Sequence, residues 1–276
     1  MKSLSYILFV FICVTQAQTS TPTFISETLE LTHCESAVYD KANNRIYASL
    51  IGDREAGDGS IATVSTDGKL INKTFVEGLN DPKGIAITKD RLFVSDNKML
   101  IEADLKTGKV LKKHTAESVQ FLNDVAIDAD GNVYASDTRT SEIYRLDTSG
   151  HFSLWMANET LDRPNGLLIQ GNTMYVASWG AGKDGGAVSK IDMKTKTIEN
   201  ISSSIGNLDG IRPYDNERMI ISDWRSGNIH LIDANGKTEK ILTVGESVGD
   251  IAYIKEKNLL LLPMNRQSRL LFYKLK

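Results

Sequence analysis

Short apolar segments alternate with polar turns along most of the chain, and one two-strand pattern returns six times. In each copy a polar residue opens an apolar strand, and a turn rich in Asp, Asn, Gly or Lys follows. A second apolar strand then ends in Ser-Asp or a similar pair. The copies span residues 34–49, 81–96, 123–137, 164–178, 209–223 and 249–263. Short runs of this composition between turn residues are typical of antiparallel β-strands.

The spacing of the copies predicts the architecture. They recur at intervals of about 40 to 45 residues, which is the period of a propeller blade, and two further strand candidates follow each copy. Four strands in each of six repeats predict an all-β fold, the six-bladed β-propeller. The sixth repeat has only three clear strands, and the segment Phe24–Leu31 precedes the first repeat. We therefore expect the N-terminal strand to complete the last blade, because closure of the ring removes an exposed sheet edge.

The N-terminus predicts a secretory signal peptide. Lys2 gives a positive start, residues 6–14 are apolar, and Thr15-Gln16-Ala17 offers small residues for cleavage. The alternatives are a lipoprotein anchor through Cys13 and an uncleaved membrane anchor, for which the apolar run is short. The expected organisation is a signal peptide at 1–17 and a propeller domain at 18–276, and the expected location is secreted or periplasmic.

Composition narrows the possible partners. The chain has 276 residues and a formal net charge of -3, with no basic stripe, so a nucleic-acid partner is not expected. The mature region has no apolar run long enough for a membrane span. Cleavage after residue 17 leaves Cys34 as the one thiol, so no intramolecular disulfide is expected. A lone cysteine of this kind is more often a small buried residue than a nucleophile.

The residues that open the first strand of each repeat are expected to surround the central channel. They are Glu35, Asp81, Asn123 with Asp124, Asn165, Asp209 and Asp250. Burial of carboxylates and amides is costly unless a cation compensates the charge, and Ca²⁺ accepts oxygen ligands in irregular geometry. Asp and Asn also favour turns for conformational reasons, so each residue alone is a weak indication. Zn²⁺ fits less well, because the four His residues lie at other repeat positions.

At these positions the chain resembles the SMP-30/gluconolactonase family, which includes the regucalcins and the drug-responsive lactonases. Cys34-Glu35-Ser36 resembles the family's Gly-Glu-Ser/Gly-Pro segment, Leu122-Asn123-Asp124 its Asn-Asp-Gly segment, Pro164-Asn165-Gly166-Leu167 its Asn-Gly-Leu segment, and Leu208-Asp209-Gly210-Ile211 its Asp-Gly-Met/Ile segment. Four short motifs in the family's order and at one repeat position make the resemblance specific. As a repeat pattern it covers the whole mature chain.

The resemblance implies a metal-dependent lactonase acting on a small-molecule lactone or ester. The implied metal ligands are Glu35, Asn165 and Asp209, with Asn123 beside them. The metal would polarise the ring carbonyl, and Asp209 would accept a proton from the attacking water, with Asp124 as the alternative acceptor. Ca²⁺ is the expected ion, and Zn²⁺, Mg²⁺ and Mn²⁺ are the other candidates.

Departures from the family pattern bear on the substrate. Sugar-lactone members often carry an Arg two positions before the Asn of the second motif, where this chain has Phe121. This residue favours an apolar or aromatic lactone or ester over a sugar, with Phe121 and Asn123 in contact with the substrate. Cys34, Ala37 and Val125 replace residues that are usually Gly, Pro and Gly in the family.

Two other functions stay open at this point. The first is a non-enzymatic propeller that acts as a rigid binding platform with a structural Ca²⁺ ion, since a fold does not fix a function. Chelation would then lower stability while no turnover is found. The other alternative is a condensing enzyme similar to strictosidine synthase, which needs a Glu general base and an apolar amine pocket. No residue of the sequence indicates that base.

Overall fold

The computed structural model, which describes residues 21–275, confirms the six-bladed β-propeller. Every blade is a four-stranded antiparallel sheet. Within the described residues, helical structure is limited to two 3₁₀ turns, Glu159–Leu161 and Lys255–Lys257. The predicted signal peptide at 1–17 lies outside the described residues.

Blades one to five each use four consecutive strands, and the first strands of neighbouring blades contact each other around the central channel. Blade one contains β2 (Cys34–Asp40), β3 (Arg45–Leu50), β4 (Gly59–Ser65) and β5 (Leu70–Leu79), and blade two contains β6 (Pro82–Ile87), β7 (Arg91–Asp96), β8 (Met99–Asp104) and β9 (Val110–His114). Blade three contains β10 (Leu122–Ile127), β11 (Val133–Asp137), β12 (Glu142–Leu146) and β13 (Phe152–Ala157). Blade four contains β14 (Pro164–Gln170), β15 (Thr173–Ser178), β16 (Val188–Asp192) and β17 (Ile198–Asn200), and blade five contains β18 (Leu208–Pro213), β19 (Arg218–Asp223), β20 (Asn228–Asp233) and β21 (Thr238–Thr243).

The sixth blade joins the two ends of the chain, as predicted. It consists of β22 (Ala252–Ile254), β23 (Leu259–Met264), β24 (Arg269–Lys274) and the N-terminal β1 (Thr23–Thr28). Strand β1 pairs antiparallel with β24, so the outer edge of this blade is formed by the first strand of the described chain. Because closure uses main-chain hydrogen bonds between the two ends, the ring does not depend on side-chain contacts alone.

The apolar core lies between the blades. Six clusters of buried side chains are present in the described chain, and each combines residues of two neighbouring blades. Ile46 of blade one and Phe272 of blade six, for example, share one cluster. Cys34 is fully buried in the same cluster and is a free thiol, which agrees with its expected structural role. Each sheet therefore buries both faces, and the blades hold one another in place.

The serine of the Ser-Asp pair connects blades two, three and five to the blade that follows. Three of these serines donate to a main-chain carbonyl in or just before the first strand of the following blade. The bonds run from Ser95 Oγ to the Asn123 carbonyl, from Ser136 Oγ to the Asn165 carbonyl (2.7 Å) and from Ser222 Oγ to the Gly249 carbonyl (2.8 Å). The repeat therefore carries serine because a short buried hydroxyl is needed between adjacent first strands.

The aspartate of the same pair has a different structural role. Its carboxylate accepts hydrogen bonds from the main-chain N–H groups that lead into the first strand of its own blade. Asp137 accepts from Gln120 N at 2.6 Å and from Phe121 N at 3.0 Å. Asp96 accepts in the same way from Asn80 N and Asp81 N. These bonds satisfy buried N–H groups that have no strand partner.

Replacement of Ser136 by alanine is expected to destabilise the fold. Ser136 Oγ accepts from Asp124 N at 3.0 Å and donates to the Asn165 carbonyl, and the hydroxyl is fully buried. Loss of both bonds leaves two buried main-chain groups unpaired, which costs about 1–3 kcal/mol each. Urea unfolding of Ser136→Ala, compared with the exposed Ser203→Ala as control, measures the difference. Equal midpoints for the two variants would contradict this role.

Candidate functional site

The strand register defines which residues are equivalent around the channel. The first strands pair with the second strands through Cys34↔Leu50, Pro82↔Asp96, Leu122↔Asp137, Pro164↔Ser178 and Leu208↔Asp223, and the bridge Val248↔Met264 is the counterpart in blade six. The next residue in each blade gives a ring of equivalent positions, hereafter the ligand ring. It consists of Glu35, Lys83, Asn123, Asn165, Asp209 and Gly249. The five members with a side chain line one cavity of about 450 Å³.

This register corrects the predicted ring at two positions. Asp81 and Asp250 were expected in it, and Lys83 and Gly249 occupy those places. In the first five blades the strand register shifts beside the ring residue, as at Leu122/Val125. Such bulges place two successive residues on one side of a strand and re-aim their side chains. Asp81 lies two residues before Lys83, and Asp250 lies one residue after Gly249, so the first polar residue of the repeat does not mark the ring position in these two blades.

The glycines that follow the ring residues permit close packing around the channel. A Cβ atom on Gly166 would lie 2.0 Å from the Asp209 carbonyl oxygen. A Cβ atom on Gly84 would lie 2.4 Å from the Asp124 Cα atom. Both distances are far below van der Waals contact, so any larger residue would push adjacent first strands apart. The Asn-Gly-Leu motif thus combines a ring residue with the glycine that brings the neighbouring ring residue close.

All four predicted metal ligands lie together in the cavity. Two of them carry a buried oxygen without any hydrogen-bond partner, namely Glu35 Oε2 and Asn165 Oδ1. The Asn165 amide nitrogen donates to the Leu208 carbonyl at 3.2 Å, and the Asn123 amide nitrogen donates to Thr138 Oγ1 at 3.1 Å. These bonds fix the amide groups through their nitrogen atoms, so the oxygen atoms are left for a ligand. An unpaired buried oxygen is costly unless a cation or donor satisfies it.

The two carboxylates of the ring repel each other in a poorly hydrated site. Glu35 is 6% exposed and Asp209 is 4% exposed. Burial, and then the charge of Asp209, hold the pKa of Glu35 well above its usual value, although Lys83 opposes the shift. Burial, and then the charge of Asp124, raise the pKa of Asp209 to about 8 against a hydrogen bond from Asn165. A bound cation would reverse both shifts, because it favours the ionised carboxylates.

The donor set fits a hard divalent cation. It offers two carboxylates, Glu35 and Asp209, and two amide oxygens, Asn123 and Asn165, which is oxygen chemistry of the kind that suits Ca²⁺, Mg²⁺ or Mn²⁺. No group of three His, Cys, Asp or Glu side chains arranged for a metal occurs among residues 21–275. Amide oxygens are therefore needed to complete the ligand set. Without a His or Cys ligand, the site is a poor match for Zn²⁺.

Asp124 lies below the cavity rather than in its lining. Its Oδ1 accepts from Val125 N and its Oδ2 from Leu167 N, both at 2.7 Å, and the Arg212 guanidinium is 3.5 Å from Oδ2. The carboxylate is 1% exposed. Its oxygens are thus engaged by groups of the channel wall, whereas the carboxylate of Asp209 belongs to the cavity lining.

A buried ion cluster supports the ring from beneath, and the sequence pattern did not indicate it. Arg212 extends between Asp124 and Asp250, with 2.5 Å from its Nη2 atom to Asp250 Oδ2. Ser36 Oγ also donates to Asp250 Oδ2, at 2.8 Å. The equivalent residues of the other blades are all apolar: Val38, Ala86, Ala126, Leu168 and Ala252. The sequence signal for this ion cluster was a single arginine, Arg212, at a repeat position that is apolar in the other five blades.

Lys83 and two tryptophans are further cavity residues that the sequence reasoning missed. The Lys83 ammonium lies 2.6 Å from Asp81 Oδ2 and 4.4 Å from the centre of the Phe121 ring. Trp179 and Trp224 each follow the second strand of their blade, and their ring centroids are 5.6 Å apart. Phe121 lines the cavity, as expected for a substrate-contacting residue. The cavity therefore has a polar floor and aromatic walls.

The loop at 52–59, which follows the second strand of blade one, contributes Arg54 to the cavity lining. The loop at 180–186 contributes no lining residue, although Trp179 immediately precedes it. Instead, Gly185 and Gly186 form isolated bridges with Gly206.

Within residues 21–275, no helix has the length and apolar character needed to cross a membrane.

Solved structures with the same fold include gluconolactonases. A gluconolactonase from Xanthomonas campestris superposes with a TM-score of 0.70 at 15% sequence identity, over 93% of this chain and 95% of the other. A proposed gluconolactonase superposes with a TM-score of 0.70 at 16% identity, over 95% and 93% of the two chains. No family profile and no curated protein sequence matches the chain. The resemblance indicated by the four motifs is thus confirmed at the level of the six-bladed fold.

Proposed function

We propose that this protein is a metal-dependent hydrolase of lactones or related esters, with Ca²⁺ as the metal. The observation that carries the proposal is the pair of unpartnered buried oxygens, Glu35 Oε2 and Asn165 Oδ1, in the cavity that also holds Asp209. Four oxygen-bearing side chains there suit a hard cation. The fold shared with gluconolactonase structures supports lactones as the substrate class.

The residues of the ligand ring have separate roles in the proposed hydrolysis. When bound, the metal would supply Lewis-acid polarisation of the lactone carbonyl. Asp209 accepts a proton from water as the water oxygen bonds to the carbonyl carbon. The C–O bond of the lactone ring then breaks, and the proton held by Asp209 passes to the alkoxide that leaves. The product is the open hydroxy acid, and the Asp209 carboxylate is regenerated.

Other cavity residues bind and orient the substrate. Lys83 is 5% exposed and its ammonium is held by Asp81, so it adds a fixed positive charge where an oxyanion develops. Asn123 and Asn165 keep their amide oxygens at the floor through bonds made by their nitrogen atoms. Trp179, Trp224 and Phe121 provide flat apolar surfaces, which favour an aromatic or apolar lactone over a small sugar lactone.

Export is part of the same proposal. The apolar segment before residue 17 has the features of a cleaved signal peptide, and a secreted or periplasmic enzyme would meet higher Ca²⁺ concentrations than a cytosolic one. With only two carboxylates among its four side-chain ligands, the site is expected to bind Ca²⁺ in the range of extracellular modules, with a dissociation constant of about 10⁻⁴–10⁻³ M.

The test is hydrolysis of a panel of small lactones and esters by the mature protein, with Ca²⁺ and after chelation. We expect turnover that disappears on chelation and returns when Ca²⁺ is added back. Turnover that persists in fully chelated protein would contradict the metal dependence. Absence of turnover with every metal and substrate, together with retained Ca²⁺ binding, would favour the alternative of a binding platform with a structural ion.

Ca²⁺ is also expected to stabilise the fold through Glu35. At a concentration about 100 times the dissociation constant, a ligand that binds only the folded state adds about 2.7 kcal/mol. For a domain of this size the gain corresponds to a rise in Tm of about 5–10 °C. Thermal unfolding with and without Ca²⁺ should show this shift in the wild type and in the exposed control Glu77→Gln. Glu35→Gln should lose most of it, and an undiminished shift in that variant would exclude Glu35 as a ligand.

A further inference from the structure

The rim of the cavity, which contains Arg54, Arg139 and Arg163, carries more positive charge than the proposed chemistry requires. We propose that the natural substrate bears an anionic group, a carboxylate or a phosphate, that the arginines of the rim recognise. This inference rests on the proposed function for the reacting bond, and it adds the charge of the substrate. The aromatic walls would hold the body of the molecule, with the lactone or ester carbonyl at the floor.

The first observation is the charge of the lining. Arg54, Lys83, Arg139 and Arg163 line the cavity, against the two carboxylates of Glu35 and Asp209. Four positive and two negative charges give the lining a formal charge of +2, or +1 when Asp81, which lies 2.6 Å from Lys83, is included, and a bound divalent cation would add two more positive charges. The whole chain has a formal net charge of -3. Positive charge is therefore concentrated at this cavity, against the balance of the molecule.

The second observation is that the rim arginines have free donors. No ion pair among residues 21–275 involves Arg54, Arg139 or Arg163. The Arg139 guanidinium stacks 5.4 Å from the centre of the Phe121 ring, which holds it beside the cavity without using its donors. A planar guanidinium with unused donors suits a carboxylate or phosphate, which it binds through two parallel hydrogen bonds.

The third observation comes from the repeat. The second residue after the end of the second strand is cationic in four of the six blades, at Lys98, Arg139, Arg225 and Arg266. The other two blades have Gly52 and Gly180 there. The exposed Arg266 is paired with Glu246 at 3.0 Å, and the other three have no ion pair in the described chain. A ring of like charges around a concave mouth attracts anions from solution.

The charge of the rim also refines the expectation drawn from Phe121. That residue replaces an arginine of sugar-specific relatives, and the sequence therefore favoured an apolar substrate. Lys83 of blade two and Arg139 of blade three both lie against the Phe121 ring, so other side chains supply positive charge at this wall. A molecule with an aromatic part and an anionic substituent matches this combination, whereas a neutral apolar lactone leaves the arginines without partners.

The test compares matched probes: dihydrocoumarin with a carboxylate substituent, its methyl ester at the same position, and a phosphate monoester counterpart. We expect kcat/KM for at least one anionic probe to exceed that of the methyl ester by about tenfold or more, since hydrogen bonds to charged groups contribute strongly. Comparison of the carboxylate with the phosphate probe shows which anion the rim prefers. The advantage should shrink with added salt, as expected for exposed charges.

Arginine variants connect the preference to the rim. Arg139→Gln and Arg163→Gln should each lower kcat/KM for the preferred anionic probe several-fold more than for the methyl ester. Arg145→Gln lies on the third strand of the same blade, outside the cavity lining, and serves as the matched control with no such change. Equal kcat/KM values for anionic and neutral probes would overturn this inference and leave the proposed hydrolase function intact.

Binding separates the two proposals if no probe is hydrolysed. The lactam analogues of the same probes cannot report turnover, but their binding changes tryptophan fluorescence, since two of the three tryptophans line the cavity. We expect the anionic lactams to bind about tenfold more tightly than the lactam methyl ester, and Arg139→Gln to remove that difference. Tighter binding without hydrolysis would support the anion site and reject the hydrolase. Equal binding of anionic and neutral lactams would overturn the anion site itself.

Discussion

Replacement of Asp209 by asparagine should lower kcat/KM for lactone hydrolysis by about a thousandfold, within the range attributed to a positioned general base. The side chain keeps its size, but it can no longer accept the proton of water, and one of the two carboxylates that hold the cation is lost. Steady-state kinetics with Ca²⁺ at several concentrations measures both effects. Failure of high Ca²⁺ to restore turnover would show that the proton-accepting role is lost in addition to metal affinity.

The matched control for this variant is Asp130→Asn, an exposed carboxylate in the turn between β10 and β11. It should keep wild-type turnover and wild-type Ca²⁺ dependence. If Asp209→Asn retains activity within about threefold of the wild type, Asp209 is neither the proton acceptor nor a necessary ligand, since either role supplies far more than that factor.

Replacement of Arg212 by methionine is expected to have the largest effect on stability. Removal of one partner from a buried ion pair costs about 3–5 kcal/mol, because the remaining charge stays uncompensated. Asp124 and Asp250 are 1% and 2% exposed, and both contact the Arg212 guanidinium. Urea unfolding of Arg212→Met against wild type measures the loss. A difference below about 1 kcal/mol would contradict the role of this cluster.

The same variant should show a characteristic dependence on pH. Burial raises the pKa of Asp250, and Arg212 is the main group that opposes this shift. A carboxylate whose pKa is higher in the folded than in the unfolded state loses stability as pH rises through that range. The deficit of Arg212→Met should therefore be smaller at acidic than at neutral pH. Should Arg212→Met fail to fold, the double variant with Asp250→Asn tests the same cluster, and recovery of folding is expected.

The fold could be predicted from sequence because its signals are local and repeated. Each blade has its own apolar strands and turn residues. Because the pattern occurs six times, an uncertain strand assignment in one repeat is resolved by comparison with the others. The spare strand near Phe24 and the missing strand of the sixth repeat also indicate how the ring closes. The order of strands follows directly, because consecutive antiparallel strands pair with their neighbours.

The site could be predicted in part, for reasons that particular residues make clear. Glu35, Asn123, Asn165 and Asp209 were identified because each occupies the same position of a repeat, and the structure brings all four into one cavity. Asp250 was misplaced because the ring position of blade six is a glycine, Gly249, and the first polar side chain of that repeat comes one residue later.

The remaining residues of the site carry no comparable signal. Trp179, Trp224 and Arg163 lie in connections between strands, where sequence pattern constrains neither conformation nor direction. Lys83 occupies a ring position, yet its charge is opposite to the one expected of a metal ligand. Its structural partner, Asp81, was taken for the ring residue in its place. The cavity walls are built from seven separate connections, which come together only when the ring is closed.

The proposed metal-dependent hydrolysis is tested most directly by a Ca²⁺ titration of chelated mature protein in which bound metal and lactone turnover are followed together. We expect both signals to saturate at about one ion per chain, because Glu35, Asn123, Asn165 and Asp209 line one cavity and together offer a single set of oxygen ligands. Glu35→Gln should weaken both signals in parallel. Full turnover in metal-free protein, or saturation of binding without any turnover, would contradict a metal-dependent hydrolase.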